Sequence, residues 1–571
     1  MRIKHFFRLA VIAAMTASCS SNNDLVNGGN GENETGASYA SFSINLPTTR
    51  GTRATDPTFD KGDAKEYDVF NATLLVFKKG TATSEGDYTL AETVDLGSME
   101  PWKIPNKTGV TTQAKITAKL GNVDKNEAYF ALVLLNNGSG TDEKVHLPAV
   151  NTKYSEWNIA DNATAKFANY DKGFYMANAP LHNNTDKRVT TLVAIDQDKI
   201  FPTEAQASSG EAAADIYVER GLAKVTLTTA TKDKKEVGGG TYTGDKVTIS
   251  NWALDVTNKK TFPIHNVDGL PEDYAAIWTN DATTATPSTQ RFVDNNSETL
   301  VKRVYWGKDP NYNNNTLLNT DEAGKTARAA EFNYVTPNTD VTADPTKPLY
   351  CLENTFNLAN MVQGQTTRVI FKASYTPNGF TEEDCKTFYK IGTSVALWKQ
   401  KDLENHIKVA VTKVISGATT DNTTINLTAE GNNITTAGNH VIKASNITVT
   451  GHEVTEAEEK AVNEKVGLTE KAGISTYANG ESYYIARIKH FGDALTPWSS
   501  GNYGTDNLKY LGRYGMLRNN WYELEVNSVS GPGYPDVPEV KPNTPDDEDD
   551  KYINVSVKIL DWAKRSQKVD L

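Results

Sequence analysis

The sequence predicts an all-β protein, and three observations carry that prediction. Runs rich in Val, Thr, Ile and Tyr recur along the chain: Ala72 to Phe77, Tyr129 to Leu135, Leu222 to Thr229, Lys246 to Val256, Thr367 to Tyr375 and Trp521 to Val529. Asn-Gly, Gly-Gly and Asp-Asn pairs lie between them and supply the positive φ that tight turns need. The composition, 38% hydrophobic and 23% charged, describes a soluble globular chain on the polar side. Many short strands between turn signals favour sandwiches over a parallel α/β sheet.

The 571 residues would make three or four domains at ~150 each, or two large all-β ones at ~200–250 each. Lys+Arg number 59 against Asp+Glu 71, for a net charge of −12, which argues against a nucleic-acid binder. Three Cys exclude a disulfide scaffold.

Residues 1–18 read as an export signal. Arg2, Lys4 and Arg8 form a basic start, and the apolar Leu9 to Ala17 is too short to span a bilayer, which takes ~20 residues. Cys19 follows Ala17-Ser18, the small-small-Cys order in which the thiol of a bacterial lipoprotein is acylated, although Thr16 stands where Leu is usual. The Gly/Asn-rich stretch after Cys19 reads as a flexible tether.

Ala37 to Leu46 alternates, with Ala40, Phe42, Ile44 and Leu46 on one face and Tyr39, Ser41, Ser43 and Asn45 on the other, as a half-buried strand does. Directly after it, Arg50 and Arg53 stand in a small-residue stretch open to an Arg-specific protease, so residues 19–53 read as a removable propeptide. The body divides into β-sandwiches over 54–220 and 221–530, with the boundary between 208 and 240. The glycines at 238–240 could equally be a hairpin tip. One helix is predicted over Thr455 to Val466, with Thr455 as N-cap.

Residues 531–550, Pro-rich and then acidic, read as an extended, self-repelling linker. In the last segment, 551–571, Ile553, Val555, Val557 and Ile559 face one way in a second amphipathic strand. Losing the strand before the two arginines would leave an apolar groove and an open sheet edge. The last strand has the pattern to fill that groove in another copy, and head-to-tail donation of this kind gives an open filament. The same pattern also fits two strands that simply belong to their own sheets.

Several segments, in order along the chain, resemble a known family. They are Tyr217-Val218-Glu219-Arg220 with Ala223-Lys224, Leu352-Glu353-Asn354 followed by Gln365 to Val369, and Arg518-Asn519-Asn520-Trp521-Tyr522. The closing Val555-Ser556-Val557 with Trp562 completes the set. Together with the lipoprotein signal and the arginines, they resemble the fimbrillins of Bacteroidales, the type V pilins, and among these the shaft subunit of the minor fimbrium. The resemblance implies two transthyretin-like β-sandwich domains and an exchangeable C-terminal strand. It also implies polymerisation by strand exchange after a gingipain-type protease has cut at Arg50 or Arg53, and cell adhesion through the assembled fimbrium. The partners it implies are copies of the same chain, anchor and tip fimbrial proteins, the protease, and host or bacterial surface receptors. The precursor would travel by the lipoprotein pathway to the outer membrane, and the mature form would stand in the extracellular fimbrium.

Catalytic chemistry has little support. His146, His182, His265, His406, His440, His452 and His490 are scattered without H-E-x-x-H, and neither a G-x-S-x-G elbow nor a phosphate-binding Gly-rich loop is present. The expectation is no catalytic residue, no metal and no cofactor. Cys351 and Cys385 could pair in an oxidising compartment or stay as free thiols. Trp102, Tyr305, Trp306 and Trp498 could stack on sugars, although single aromatics are more often core. The alternative function is a surface-anchored lipoprotein that binds polysaccharide.

Overall fold

In the computed structural model the described residues are 38–45, 66, 68–98, 113–547 and 553–561. Breaks fall at 122, 125, 170, 184–187, 233–234, 239, 271–291, 294–300, 337, 470–471, 492–495 and 497–509. The chain is mostly β-sheet with few helices. Each long run predicted as a strand is one, within a residue or two at its ends. Among the described residues no helix is long and apolar enough to cross a membrane.

The first sheet is built from β1 (Ser38–Asn45), β2 (Ala72–Lys78), β3 (Thr89–Gly97), β4 (Gln113–Leu120), β5 (Tyr129–Leu135), β6 (Met176–Asn178) and β7 (Ala214–Arg220). Their order is β3-β2-β5-β6-β7-β1-β4, with Val193–Ala194 added on β5. The sheet rolls over one core, because Phe42 and Ile44 of β1, Leu74 and Val76 of β2, Ala114 and Ala118 of β4 and Val133 of β5 meet in a single cluster.

At Gly221 the chain leaves this sheet. A Cβ there would lie 2.5 Å from the Phe167 ring, so only glycine fits the crossing. Beyond it come β8 (Leu222–Leu227), β9 (Lys235–Glu236), β10 (Lys246–Asp255), β11 (Leu349–Leu352), β12 (Arg368–Thr376), β13 (Glu481–Arg487), β14 (Asn520–Val529) and β15 (Ile553–Asp561). They form two four-stranded sheets, β11-β8-β14-β15 and β9-β10-β12-β13. These pack face to face through Val225, Ile249, Trp252, Phe371, Tyr484, Tyr522 and Leu524. Gly238 and Gly240 lie in the connection between the antiparallel strands β9 and β10. A further cluster, including Leu75, Leu132, Tyr175, Leu222, Leu352 and Trp521, joins the outer face of the first sheet to β8, β11 and β14.

Three helices matter here: α1 (Glu204–Ser209), α2 (Gln400–Val414) and α3 (Glu456–Val466). The predicted helix is α3. Thr455 and Glu458 form a reciprocal capping box, and Gly467 ends the helix at φ 99°. The sequence reading did not anticipate α2, whose Leu403, Ile407, Ala410 and Val411 pack with α3 residues Val462 and Val466. Both helices sit in an excursion between the paired strands β12 and β13 that carries its own core and a small four-stranded sheet.

The segment expected to stand off as a self-repelling linker is instead docked as far as it is described. Tyr534 exchanges two 2.8 Å backbone hydrogen bonds with Tyr483 on the outer side of β13, and Asp546 is fully buried. Its charge does not drive it outward because Arg487 and Arg513 meet Asp546 and Asp547.

Candidate assembly site

β1 lies between two strands. It runs parallel to β7, with Phe42 opposite Ala214 and Ile44 opposite Ile216, and antiparallel to β4, from Ser38 opposite Leu120 to Asn45 opposite Gln113. Ala40, Phe42 and Ile44 are fully buried, as the alternation predicts. The half-buried expectation fails for the other face, because Ser41, Ser43 and Asn45 are also buried.

That cover comes from the segment around α1. Tyr39 and Phe201 exchange backbone hydrogen bonds at 2.7 and 2.8 Å, and the Ala213 N–H donates to the Ser41 carbonyl at 2.6 Å. The Asn45 amide donates to the Ile216 carbonyl at 3.3 Å. α1 is held from the β4 side, where the Thr117 and Ser208 hydroxyls lie 3.0 Å apart and Lys115 Nζ donates to the Ser208 carbonyl at 2.9 Å. The cover is therefore attached to the wall of the slot and not only to β1. The sequence held a signal for it: the polar face of β1 has no charged residue, which a solvated strand face usually would.

The C-terminal strand β15 contains Ile553, Val555, Val557 and Ile559 and pairs antiparallel with β14 of its own chain. Val555, Val557 and Ile559 stand opposite Val526, Leu524 and Tyr522, all core residues, and a bulge interrupts the register between Val526 and Ser528. Among the described residues β14 is its one ladder partner, which makes β15 an edge strand there. Cys19, Arg50 and Arg53 lie outside the described residues.

All the resembling segments but the closing one, of which Trp562 lies outside the described residues, converge on one buried polar knot where the first sheet meets the others. Arg220 N–H donates to Asn519 Oδ1 at 3.1 Å, and Asn519 N–H returns a 2.7 Å bond to the Leu222 carbonyl. Arg518 Nε donates to Glu353 at 3.0 Å, and His265 Nδ1 lies 2.7 Å from Glu219. Asn354 exchanges backbone hydrogen bonds with Met516, donates to the Asn258 side chain at 3.0 Å and accepts from the Thr367 N–H at 2.9 Å. Burial works to raise the pKa of Glu219, but His265, Arg303 and Arg518 outweigh it and hold the carboxyl below its ordinary value. These residues bond one another across the sheets inside the protein, so their role here is to join sheets.

Glu66, the first described residue after the arginines, also ends at this knot. Its carboxylate pairs with Lys224 at 2.7 Å and accepts from the Tyr350 hydroxyl, and its carbonyl accepts from Arg220 Nε at 3.0 Å. Lys224 Nζ in turn lies 4.0 Å over the Trp521 ring.

Tyr305 and Trp306 are core, while Trp102 and Trp498 lie outside the described residues. Cys351 and Cys385 are both free, and burial pushes the Cys351 thiol up to about 12, which leaves it unreactive. Among the described residues no cluster of His, Cys, Asp and Glu could hold a metal ion.

Residues 475–568 match the family of the major fimbrial subunit protein (type IV), the C-terminal region of fimbrillin. That match spans β13, β14, the docked segment and β15. No curated protein matches the chain. A crystal structure from Parabacteroides distasonis ATCC 8503, of a protein provisionally assigned to cell adhesion, aligns over 92% of this chain and 98% of its own. It does so at 12% identity and a TM-score of 0.37, too loose to argue from. From 475 to 568 the chain is similar to the C-terminal region of fimbrillin, the family its scattered motifs resemble.

Proposed function

We propose that the chain is a structural subunit of a surface fimbrium that mediates cell adhesion. The precursor is exported and acylated at Cys19, then cut after Arg50 or Arg53 by an Arg-specific protease. The cut releases β1, and the C-terminal strand of another copy enters the vacated slot.

The observation that carries this reading is the contrast between the two end strands. Among the described residues β1 has a ladder on each side, to β7 and to β4, whereas β15 has one, to β14. Losing β1 would open two edges at once and vacate the places that Phe42 and Ile44 fill in the core. An edge strand that leaves one ladder for a slot with two gains hydrogen bonds, each worth ~0.5–1.5 kcal/mol net. It also gains an apolar floor, worth ~1.5–3 kcal/mol per large aliphatic side chain buried. The exchange therefore runs downhill once the slot is empty, and proteolysis supplies the empty slot. Donation from each copy to the next propagates without closing.

The test is the double variant Arg50→Ala/Arg53→Ala, with mass spectrometry of material sheared from the cell surface. The wild type should begin at Gly51 or Ala54, and the variant should remain an uncut, acylated monomer. Normal filaments from the variant would overturn the proteolytic switch. Wild-type surface material that still begins at acylated Cys19 would favour a retained lipoprotein that binds polysaccharide.

A further inference from the structure

The segment from Gly531 to Asp547 is bound to its own subunit at every stage of its path. Tyr484 and Tyr477 donate their hydroxyls to the carbonyls of Gly531 and Gly533 at 2.9 and 3.0 Å. Tyr534 pairs with Tyr483, the Val537 N–H donates to Asn338 Oδ1 at 2.8 Å, and Arg368 Nη2 donates to the Pro538 carbonyl at 2.8 Å. Pro542 crosses so close to Gly364 that a Cβ there would meet its Cα at 2.6 Å. The Gln363 N–H then donates to the Thr544 carbonyl at 2.8 Å.

The last described stage is the tightest. Asp546 accepts from the Thr366 hydroxyl at 2.6 Å and lies 3.3 Å from Arg487 Nε. Asp547 takes Arg513 in the two-pronged fashion, from Nε at 3.0 Å and Nη2 at 2.8 Å, and accepts from the Tyr514 hydroxyl at 2.9 Å. The Arg513–Asp547 bonds are charge-assisted and lie out of water, and Asp546 and Arg487 are buried as well. The clamp joins residues far apart in sequence.

We propose that the Asp546–Asp547 clamp is the fixed post from which a second copy of this chain is engaged. The strap stays on its parent subunit in the assembled filament, and the face around the clamp is the one that meets the neighbour. The inference rests on strand donation as proposed above. Between Asp547 and Ile553 lie Glu548 to Tyr552, and an extended chain advances at most ~3.3–3.6 Å per residue, a reach of roughly 20 Å. The neighbour's slot must therefore begin within about 20 Å of the clamp, whereas a strap free from Gly531 would reach roughly 75 Å. A short leash of matched length also keeps the donated strand at high effective concentration beside its slot.

Hydrogen exchange read by mass spectrometry, on the full-length precursor and on wild-type filaments, tests this directly. Amides of 531–547 should be protected at least ~10-fold over an unstructured chain in the precursor and keep that protection in the filament. In Asp546→Asn/Asp547→Asn precursor the protection of 540–547 should drop, while β12 and β13 stay unchanged. Unprotected wild-type strap, or an unchanged double variant, would overturn the clamp. A strap protected in the precursor but released in the filament would overturn the fixed post and leave strand donation standing. Should the double variant fail to fold, a six-residue Gly/Ser insertion after Glu548 keeps the clamp and lengthens only the leash. It should broaden the axial spacing of subunits in filaments, and an unchanged spacing would count against the reach. Filaments from a chain lacking 553–571 would sink strand donation itself, with precursor protection still deciding the clamp.

Discussion

Glu66 and Lys224 form a buried ion pair, 2.7 Å apart, between the first described residue after the two arginines and a strand of the sheet that also holds β15. A cut after Arg50 or Arg53, as proposed, would therefore leave a new end moored a short way downstream. Tyr350, Arg220 and Trp521 complete the mooring, so the pair sits in the same knot that joins the sheets.

Breaking that pair from one side should be costly. Lys224→Met strands a carboxylate in the interior, and Glu66→Gln strands an ammonium, each at about 3–5 kcal/mol. The double variant removes both charges and should cost clearly less than the sum. Denaturant unfolding of the four proteins in this cycle measures the coupling, and simple additivity would show that the pair is not energetically linked.

Which parts of this were legible in the sequence follows from the range of the interactions. β1 and β15 showed themselves through period-two alternation, and α3 through a cap pair three residues apart, Thr455 and Glu458, all local signals. Helix α2 also carried one, the spacing of Leu403, Ile407, Ala410 and Val411, but its Val-rich end reads equally well as strand. The strap was misread because its composition is that of a linker, while the groups that bind it, Arg487, Arg513 and Thr366, come from other elements. The same holds for the cover over β1. Alternation says which face is apolar and is silent about whether α1 lies on the other.

That cover changes what the polar face of either strand can tolerate. Ser43 is buried on the polar face of β1, so Ser43→Asp should put a carboxylate out of water there and destabilise the precursor by a few kcal/mol. If a donated β15 fills the same slot, Ser556→Asp should impair polymerisation about as strongly as Asp at Val557, while Ser556→Thr should be mild. Electron microscopy and sedimentation of the three variants check this. A Ser556→Asp protein that polymerises normally would mean the α1 cover lifts when strands exchange.

Asp309 gives the fold a pH dependence of known sign. Burial pushes its carboxyl up to about 8, against the opposing bonds from the Thr355 N–H at 2.9 Å and the Asn258 amide at 2.6 Å. A folded pKa above the unfolded ~3.9 means the native state binds the extra proton between those values. Stability from this group is therefore full at low pH and declines as pH rises from about 4 through about 8. The thermal midpoint of wild type should fall over pH 6–9 relative to Asp309→Asn, with a difference of up to a few kcal/mol. Parallel melting curves for the two proteins would remove Asp309 as the source.

Deleting residues 553–571 separates what β15 does at home from what it does for a neighbour. In the single chain β15 covers the outer edge of β14, opposite Tyr522, Leu524 and Val526, so its loss exposes one ladder and part of a core boundary. The sheets beneath remain paired, since β14 keeps β8 and the facing sheet keeps all its strands. The truncated precursor should thus still unfold cooperatively, with a midpoint lowered by several degrees. Polymerisation should disappear altogether, because the slot left by β1 then has nothing to receive. Adding a synthetic peptide of residues 551–563 to protease-treated, truncated subunits should restore the thermal midpoint by filling the slot, yet leave them monomeric. A peptide that restored the midpoint only of uncut precursor would be binding β14 instead. The strand would then belong to its own sheet, and the head-to-tail mechanism would have to be abandoned.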